Sequence, residues 1–270
     1  MIALLEMQSA TANCSMTSLN IPSAVPEIRS APPVSASWLS ELSRVGWAWE
    51  FLRRNGDYRR QYLEQADRSV LEGWGLQYFE DPDLDSRHAQ VFWRPDVCSA
   101  VLPVTATSLT QRTKALDPSR LKCSTRIISS PDGECADVLF QQEGRFLQVA
   151  VTGARTIAGV QLLASVVPMP DYPAGRVLAL RRFANLVTSS TLQPNLYPAE
   201  RRAPRLTKVL QALDFWLAQR SYRDIGLRLF GEARVGLEWN DPRDHMRDQV
   251  RRAVYYGRGL MDGGYRQFLR

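Results

Sequence analysis

The sequence predicts an α+β protein: a helical N-terminal region, a small antiparallel β-sheet with a covering helix, and an all-helical, helix-turn-helix-like C-terminal unit. Three observations carry this. Apolar residues recur at steps of three and four after Trp38 and again after Ala199. Between these stretches lie β-branched runs of strand length, separated by glycine-bearing turns. The charge is also uneven. From Pro198 onward there are 15 basic and 9 acidic residues, while residues 1–197 hold 19 of each, so the net +6 sits entirely on the C-terminal unit.

Residues 1–36 are rich in Ser, Ala, Thr and Pro, with Pro22, Pro26, Pro32 and Pro33 breaking any helix. They are expected to form a disordered tail, with Met7 and Met16 as alternative translation starts. Trp38, Leu42, Val45, Trp49 and Leu52 then form one apolar helix face, and Arg53 and Arg54 suit the negative end of that helix. Tryptophans at this spacing are expected in a core. Asn55-Gly56 ends the helix, and Asp57 is the expected cap of a second one carrying Tyr58 and Tyr62. Residues 73–76 and 91–95 read as short extended pieces around an acidic loop. Asp81, Asp83, Asp85 and His88 in that loop lack ordered ligand spacing and read as solvated, not metal-binding. Residues 98–120 read as an irregular linker.

Residues 137–141, 145–152 and 160–167 are expected strands. Gln142-Glu143-Gly144 turns between the first two, and residues 153–159 between the second and third. Three antiparallel strands need a cover. Residues 171–189 supply a helix with Val177, Leu180, Phe183, Ala184 and Val187 inward. Pro194 and Pro198 interrupt it, and residues 199–217 form the next helix, burying Leu206, Val209, Leu210, Leu213 and Leu217. The expected divisions are therefore 1–36 (tail), 37–120 (helical domain with irregular linker), 121–197 (sheet plus helix) and 198–270 (basic helical unit).

The last stretch carries the functional signal. Ser221 caps a short helix and Asp224 stands three residues on, as in a capping box. Gly231 is placed to stop that helix by turning left-handed. Residues 231–240 are too long for a tight turn and are expected to hold a further helical turn. Asp241 caps the next helix, with Pro242 at its first position and Asp244 beyond. Met246, Val250, Ala253, Gly257 and Leu260 form its buried face, and Arg243, Arg247, Arg251 and Arg258 fall on another. A helix bearing arginines, braced by a preceding helix, suits entry into a DNA groove. The candidate DNA-binding residues are Arg223, Arg243, Arg247, Arg251, Arg252 and Arg258. Arginine fits because its fork pairs two-point with guanine edges and phosphates; only Lys114, Lys122 and Lys208 among the 34 basic residues are lysine.

Other chemistries find no support in the sequence. Cys14, Cys98, Cys123 and Cys135 show no C-x-x-C spacing and lie far from His88 and His245, which argues against zinc and for free thiols in a reducing cytoplasm. There is no G-x-x-x-x-G-K, H-E-x-x-H or G-x-S-x-G. Gly257, Gly259, Gly263 and Gly264 end a helix and do not follow a strand. No enzyme activity and no cofactor are expected. No apolar run approaches the ~20 residues of a membrane span, and the opening MIALLEM has no positive region to make a secretion signal.

Two stretches together resemble a known family. Residues 47–55 (WAWEFLRRN) with Tyr58, and the C-terminal motifs PAERR (198–202), SYRDI (221–225), Phe230-Gly231, Arg247-x-x-Val250-Arg251-Arg252 and GGYR (263–266), resemble the RovC-like family of proteobacterial transcriptional regulators. Gly56 departs from the proline common in that family after the asparagine. The resemblance implies a sequence-specific activator of type VI secretion or mobile-element genes. It would bind double-stranded promoter DNA as a homo-oligomer. The neutral N-terminal part is read as serving self-association or contact with RNA polymerase, and no membrane partner is expected. Small relatives act instead as antiactivators that bind another regulator, which is the alternative reading.

Overall fold

The computed structural model describes residues 37–108, 120–153, 160–163, 173–241 and 245–270. The expected tail, 1–36, lies outside them. The first expected helix is broken. A 3-10 turn at Trp38–Glu41 ends where Leu42 turns extended, and α1 starts only at Arg44 (Arg44–Leu52), after Ser43. Trp47 through Asn55 are all buried, so the greater part of α1 lies inside the molecule and takes the charged Glu50 with it. Of the tryptophans at that spacing, Trp49 is core and Trp38 packs against it partly buried; Trp47 and Trp93 are also almost fully buried.

Asn55, not Asp57, caps α2 (Gly56–Leu63), its side-chain oxygen accepting from the amides of Asp57 and Tyr58. A short α3 (Leu71–Trp74) follows, so residues 73 and 74 are helical where extended chain was expected. It ends at Gly75, whose positive φ gives the left-handed stop. Leu76 then makes one antiparallel bridge to Trp93.

The sheet differs from the sequence expectation in two ways. It has five strands in the order β2-β3-β4-β1-β5 and is mixed, not purely antiparallel. Strand β1 (Leu102–Ser108) lies in the expected linker and pairs parallel with β4 (Arg145–Thr152) and antiparallel with β5 (Val160–Leu163). It thus occupies the place where β4 and β5 were expected to form a hairpin. Pro103 sits in the half of β1 paired only with β4, because β5 begins its register at Thr105. β2 (Ser124–Ser129) and β3 (Cys135–Gln142) complete the sheet. The β3–β4 hairpin is as expected. Gln142 pairs with Arg145, and Glu143 and Gly144 both take positive φ, the combination a two-residue type I′ turn requires.

Both faces of the sheet are covered. On one, Val138, Phe140, Val149 and Leu102 pack on α4 (Pro173–Ser189) through Ala179, Phe183 and Leu186. The inward face of α4 is rotated from the expected one. Val177, Ala184 and Val187 are exposed, whereas Arg176 and Arg182 are buried. On the other face, Gln148 holds the loop before β1 by two bonds to Trp93, accepting from its amide (2.9 Å) and donating to its carbonyl (2.8 Å). Asp137 accepts from the Tyr78 hydroxyl. In the acidic loop, Asp85 pairs with Arg87 and His88, and Asp83 with Arg59.

The N-terminal helices and the C-terminal unit share one core. Trp47, Phe51 and Leu52 pack with Leu206, Leu210 and Leu213 of α5 (Ala203–Leu217) and with Leu260, Tyr265 and Phe268. The rings of Phe51 and Phe268 are nearly parallel, 6.1 Å apart. Arg53 and Arg54 stand at the C-terminal end of α1, where Arg54 donates to the Glu50 carbonyl, and both also join a buried charge cluster. Glu50 bridges Arg53 and Arg54 at 2.8 Å each, and Arg54 makes a two-point contact with Asp214 of α5. Burial opposes the charge on Glu50, but Arg54 and Arg53 outweigh it and hold its carboxyl below the ordinary glutamate value. Burial likewise opposes the charge on Arg54, yet Asp214 and Glu50 raise it further. Asn55 adds a second tie, donating to the Met261 carbonyl and to Asp262.

Candidate nucleic-acid interface

The C-terminal unit is built on a small second core. Ala212 of α5, Ile225 of α6 (Tyr222–Phe230) and Val250 and Val254 of α8 (His245–Met261) meet there, with Trp216, Leu229 and Trp239 around them. The capping box expected at α6 is present: Ser221 accepts from the Asp224 amide, and Asp224 accepts from the Ser221 amide. Gly231 ends α6 with φ 83° but ψ 160°, so it stops the helix through positive φ in an extended, not left-handed helical, conformation. The expected further helical turn is α7 (Glu232–Glu238).

α8 crosses α5 closely. A Cβ at Gly257 would lie 3.1 Å from the Leu213 Cβ and 3.2 Å from the Val209 carbonyl oxygen, so glycine allows the approach. Met246, Val250, Val254, Gly257, Leu260 and Met261 are buried, close to the expected face, with Val254 taking the place given to Ala253. The cap expected for this helix falls partly on residues 242–244. That segment, and Arg243 with it, lies outside the described residues.

The other candidate arginines are brought to one unit but not to one stripe. At about 100° per residue, Arg247, Arg251 and Arg258 fall within about 40° of one another, and Arg252 lies about 100° away, across Tyr255 and Asp248. Arg251, Arg252 and Arg258 are exposed, whereas Arg247 is half-buried with its Nε out of solvent. Arg251 is 3.1 Å from Asp248, and Arg252 donates to the Asp248 carbonyl. Such surface pairs contribute ~0–1 kcal/mol, so they do not withhold Arg251 from a phosphate. Arg258 lies over the Trp216 ring, 4.5 Å from its centroid. Arg223 projects from the first turn of α6, exposed, its charge helping hold Asp224 below the ordinary carboxylate value after the stronger pull of Ser221.

A scaffold that buries one side of α8 and exposes arginines on the other has a counterpart among family models. Residues 166–270 match the DNA-binding domain of type VI secretion system transcription factors, and residues 32–79 match a proteobacterial transcriptional regulator-like domain. Together the two matches support a RovC-like regulator family for the chain. Its class is thereby set as a DNA-binding transcriptional regulator linked to type VI secretion. No curated protein and no solved structure matches the chain. The matched C-terminal region begins before the basic segment and takes in α4, which covers the sheet. Among the described residues, no helix is long and apolar enough to cross a membrane.

Sequence reading missed the role of the N-terminal signature. Of its polar letters, Arg54, held by Glu50, ties α1 to α5, and Asn55 ties it to the end of α8. Charges placed in the middle of an otherwise apolar helix were the available signal.

Proposed function

We propose that the protein is a transcriptional activator that grips promoter DNA through residues 198–270, with α8 entering the major groove and α6 bracing it across the backbone. The observation that supports this most is α8 itself, apolar on its packed side and arginine-bearing on its exposed side, within the unit that carries all of the net +6. The helix is 17 residues long, about 26 Å at ~1.5 Å per residue, against a groove ~12 Å wide. One end therefore reads bases while the rest packs. Its N-terminal half, with Arg247, Arg251 and Arg252 and with Arg243 just before it, presents the positive helix end to phosphate. The neutral body, residues 1–197, suits self-association into a homo-oligomer and contact with RNA polymerase. The target genes on this reading are those of type VI secretion or of a mobile element, and the working compartment is the cytoplasm.

Fluorescence anisotropy with the full chain, on its own promoter duplex and a scrambled one at several salt concentrations, tests the reading. Neutralising ~4 phosphates per protomer gives log affinity a slope of about −4 against log salt. Arg247→Ala is expected to cost roughly 1–3 kcal/mol and relax preference at one position if it makes a two-point base contact. Unchanged binding by a folded Arg247→Ala, Arg251→Ala, Arg252→Ala triple variant would overturn the assignment. A protein-binding antiactivator is the second reading. It is favoured by the exposure of Leu237 (85%) and Tyr255 (80%) on the same unit. Retained DNA binding by a Leu237→Ser, Tyr255→Ser variant counts against it.

A further inference from the structure

Arg182 contrasts with Arg53 and Arg54, the buried arginines that follow α1. It is 8% exposed, donates Nε–H to the Leu196 carbonyl at 2.9 Å, and lies over the Tyr197 ring at 4.1 Å. Among the described residues no carboxylate is within ion-pair distance of it. Arg53 and Arg54, comparably buried, both have Glu50, and Arg54 has Asp214 besides. A buried guanidinium without a counter-ion is costly, because desolvation is not offset by a partner.

Two adjoining cavities meet at this side chain. The larger, about 360 Å³, is lined by Ser43, Arg44, Ser99, Leu178, Arg182 and Phe268. The smaller, about 60 Å³ and mainly apolar, is lined by Trp49, Val91, Trp93, Leu139, Phe146 and Arg182. Ser43, Val45, Ala100 and Arg182 line both, so the two form one cleft with a cationic waist. Ser86 and Trp93, which line the smaller cavity, have a buried Oγ and a buried Nε1 without a hydrogen-bond partner among the described residues. An apolar hollow with a few polar groups and one desolvated cation is how a small-molecule site is built.

We propose that this cleft is a binding site for a small carboxylate with an apolar body, its carboxylate paired with Arg182 and its apolar part seated toward Trp49 and Trp93. Charge selects an anion. The aromatic and aliphatic walls select against a bare inorganic one, which would leave them unfilled. The lining comes from the start of α1, from the sheet with α4, and from the C-terminal end at Phe268, so the ligand bridges three separate segments. It therefore stabilises the packing that joins the sheet to the helical body, well apart in sequence from the arginines of α8.

The probes are benzoate, its neutral counterpart benzamide, and inorganic phosphate, titrated into the full chain by calorimetry and by tryptophan fluorescence. Benzoate is expected to bind, quench the cavity tryptophans and raise the melting temperature, while benzamide and phosphate bind at least tenfold more weakly. Arg182→Gln is expected to weaken benzoate about 10- to 100-fold, the loss of a charge-assisted contact. Ala100→Leu, which fills the space between the two cavities while keeping the arginine, abolishes binding and remains informative if the first variant does not fold. Absence of benzoate binding, equal affinity for benzamide or phosphate, or full affinity in a folded Ala100→Leu variant would each overturn the proposal. DNA affinity measured without ligand is unchanged in Ala100→Leu, which separates this site from the DNA reading.

Discussion

Arg53 and Arg54 at the end of α1, and Arg251, Arg252 and Arg258 on α8, are the same residue type under opposite conditions of hydration. The first pair is withdrawn from water and matched by Glu50 and Asp214. The second set is exposed, and its one acidic neighbour on the helix, Asp248, is itself half exposed. A guanidinium in water is held weakly and is free to exchange partners. A buried one is part of the fold, since removing it strands the charges it served. Residue type therefore does not separate the proposed DNA-facing arginines from the structural ones in this arginine-rich chain; hydration does.

The largest expected effect breaks the first side of that comparison. Arg54→Ala leaves Asp214 without its two-point partner and Glu50 with one cation in place of two, inside the core. The expected cost is about 3–5 kcal/mol, read as a shift of the urea midpoint of the full chain. Arg252→Ala, by contrast, is expected to stay within about 0.5 kcal/mol of the parent, as surface substitutions do. Comparable losses for the two would erase the distinction.

Acid sharpens it next. The carboxyl of Glu50 is held below its ordinary value in the folded chain. Its contribution is therefore complete above the unfolded value of about 4.3, and is lost as pH falls through the lower folded value. Urea midpoints are expected to drop steeply below about pH 4, and Glu50→Gln, already destabilised at neutral pH, is expected to show a shallower drop. An equal acid slope in parent and variant would locate the sensitivity elsewhere, for instance at Asp85, whose carboxyl Arg87 and His88 hold down at about 2 against the opposing effect of its burial.

What was legible in the sequence was local. The Ser221–Asp224 box, Gly231 and the four-three steps of α8 each need only a few neighbouring residues, and each element formed near where expected. Strand β1 was missed although Leu102, Val104 and Ala106 alternate as its buried side; its place is fixed by parallel pairing with β4, a non-local choice. The face of α4 was misassigned because Arg176 and Arg182 point inward where periodicity ranks arginine as outward. The Arg54–Asp214 contact joins residues 160 apart, beyond any window of sequence. The candidate site was legible as a helix with arginines, but not how those arginines divide around it. That division depends on which side of α8 meets α5 and α6.

A small expected effect concerns Arg258, the member of the exposed set whose guanidinium lies over an aromatic ring. Its guanidinium lies 4.5 Å from the Trp216 centroid, and Trp216 belongs to the cores joining α5 to the rest of the chain. An exposed stack of this kind contributes about 0.5–1 kcal/mol, so Arg258→Ala is expected to lower stability by that amount. It lies on the second half of α8, away from the end proposed to read DNA, and the salt slope of binding is expected to stay unchanged. A phosphate-bound Arg258 behaves the other way: the slope flattens by about one while the urea midpoint holds. Measuring both quantities on one variant therefore assigns Arg258 to the packing of the unit or to its DNA face. A flattened slope would extend that face over the full length of the helix.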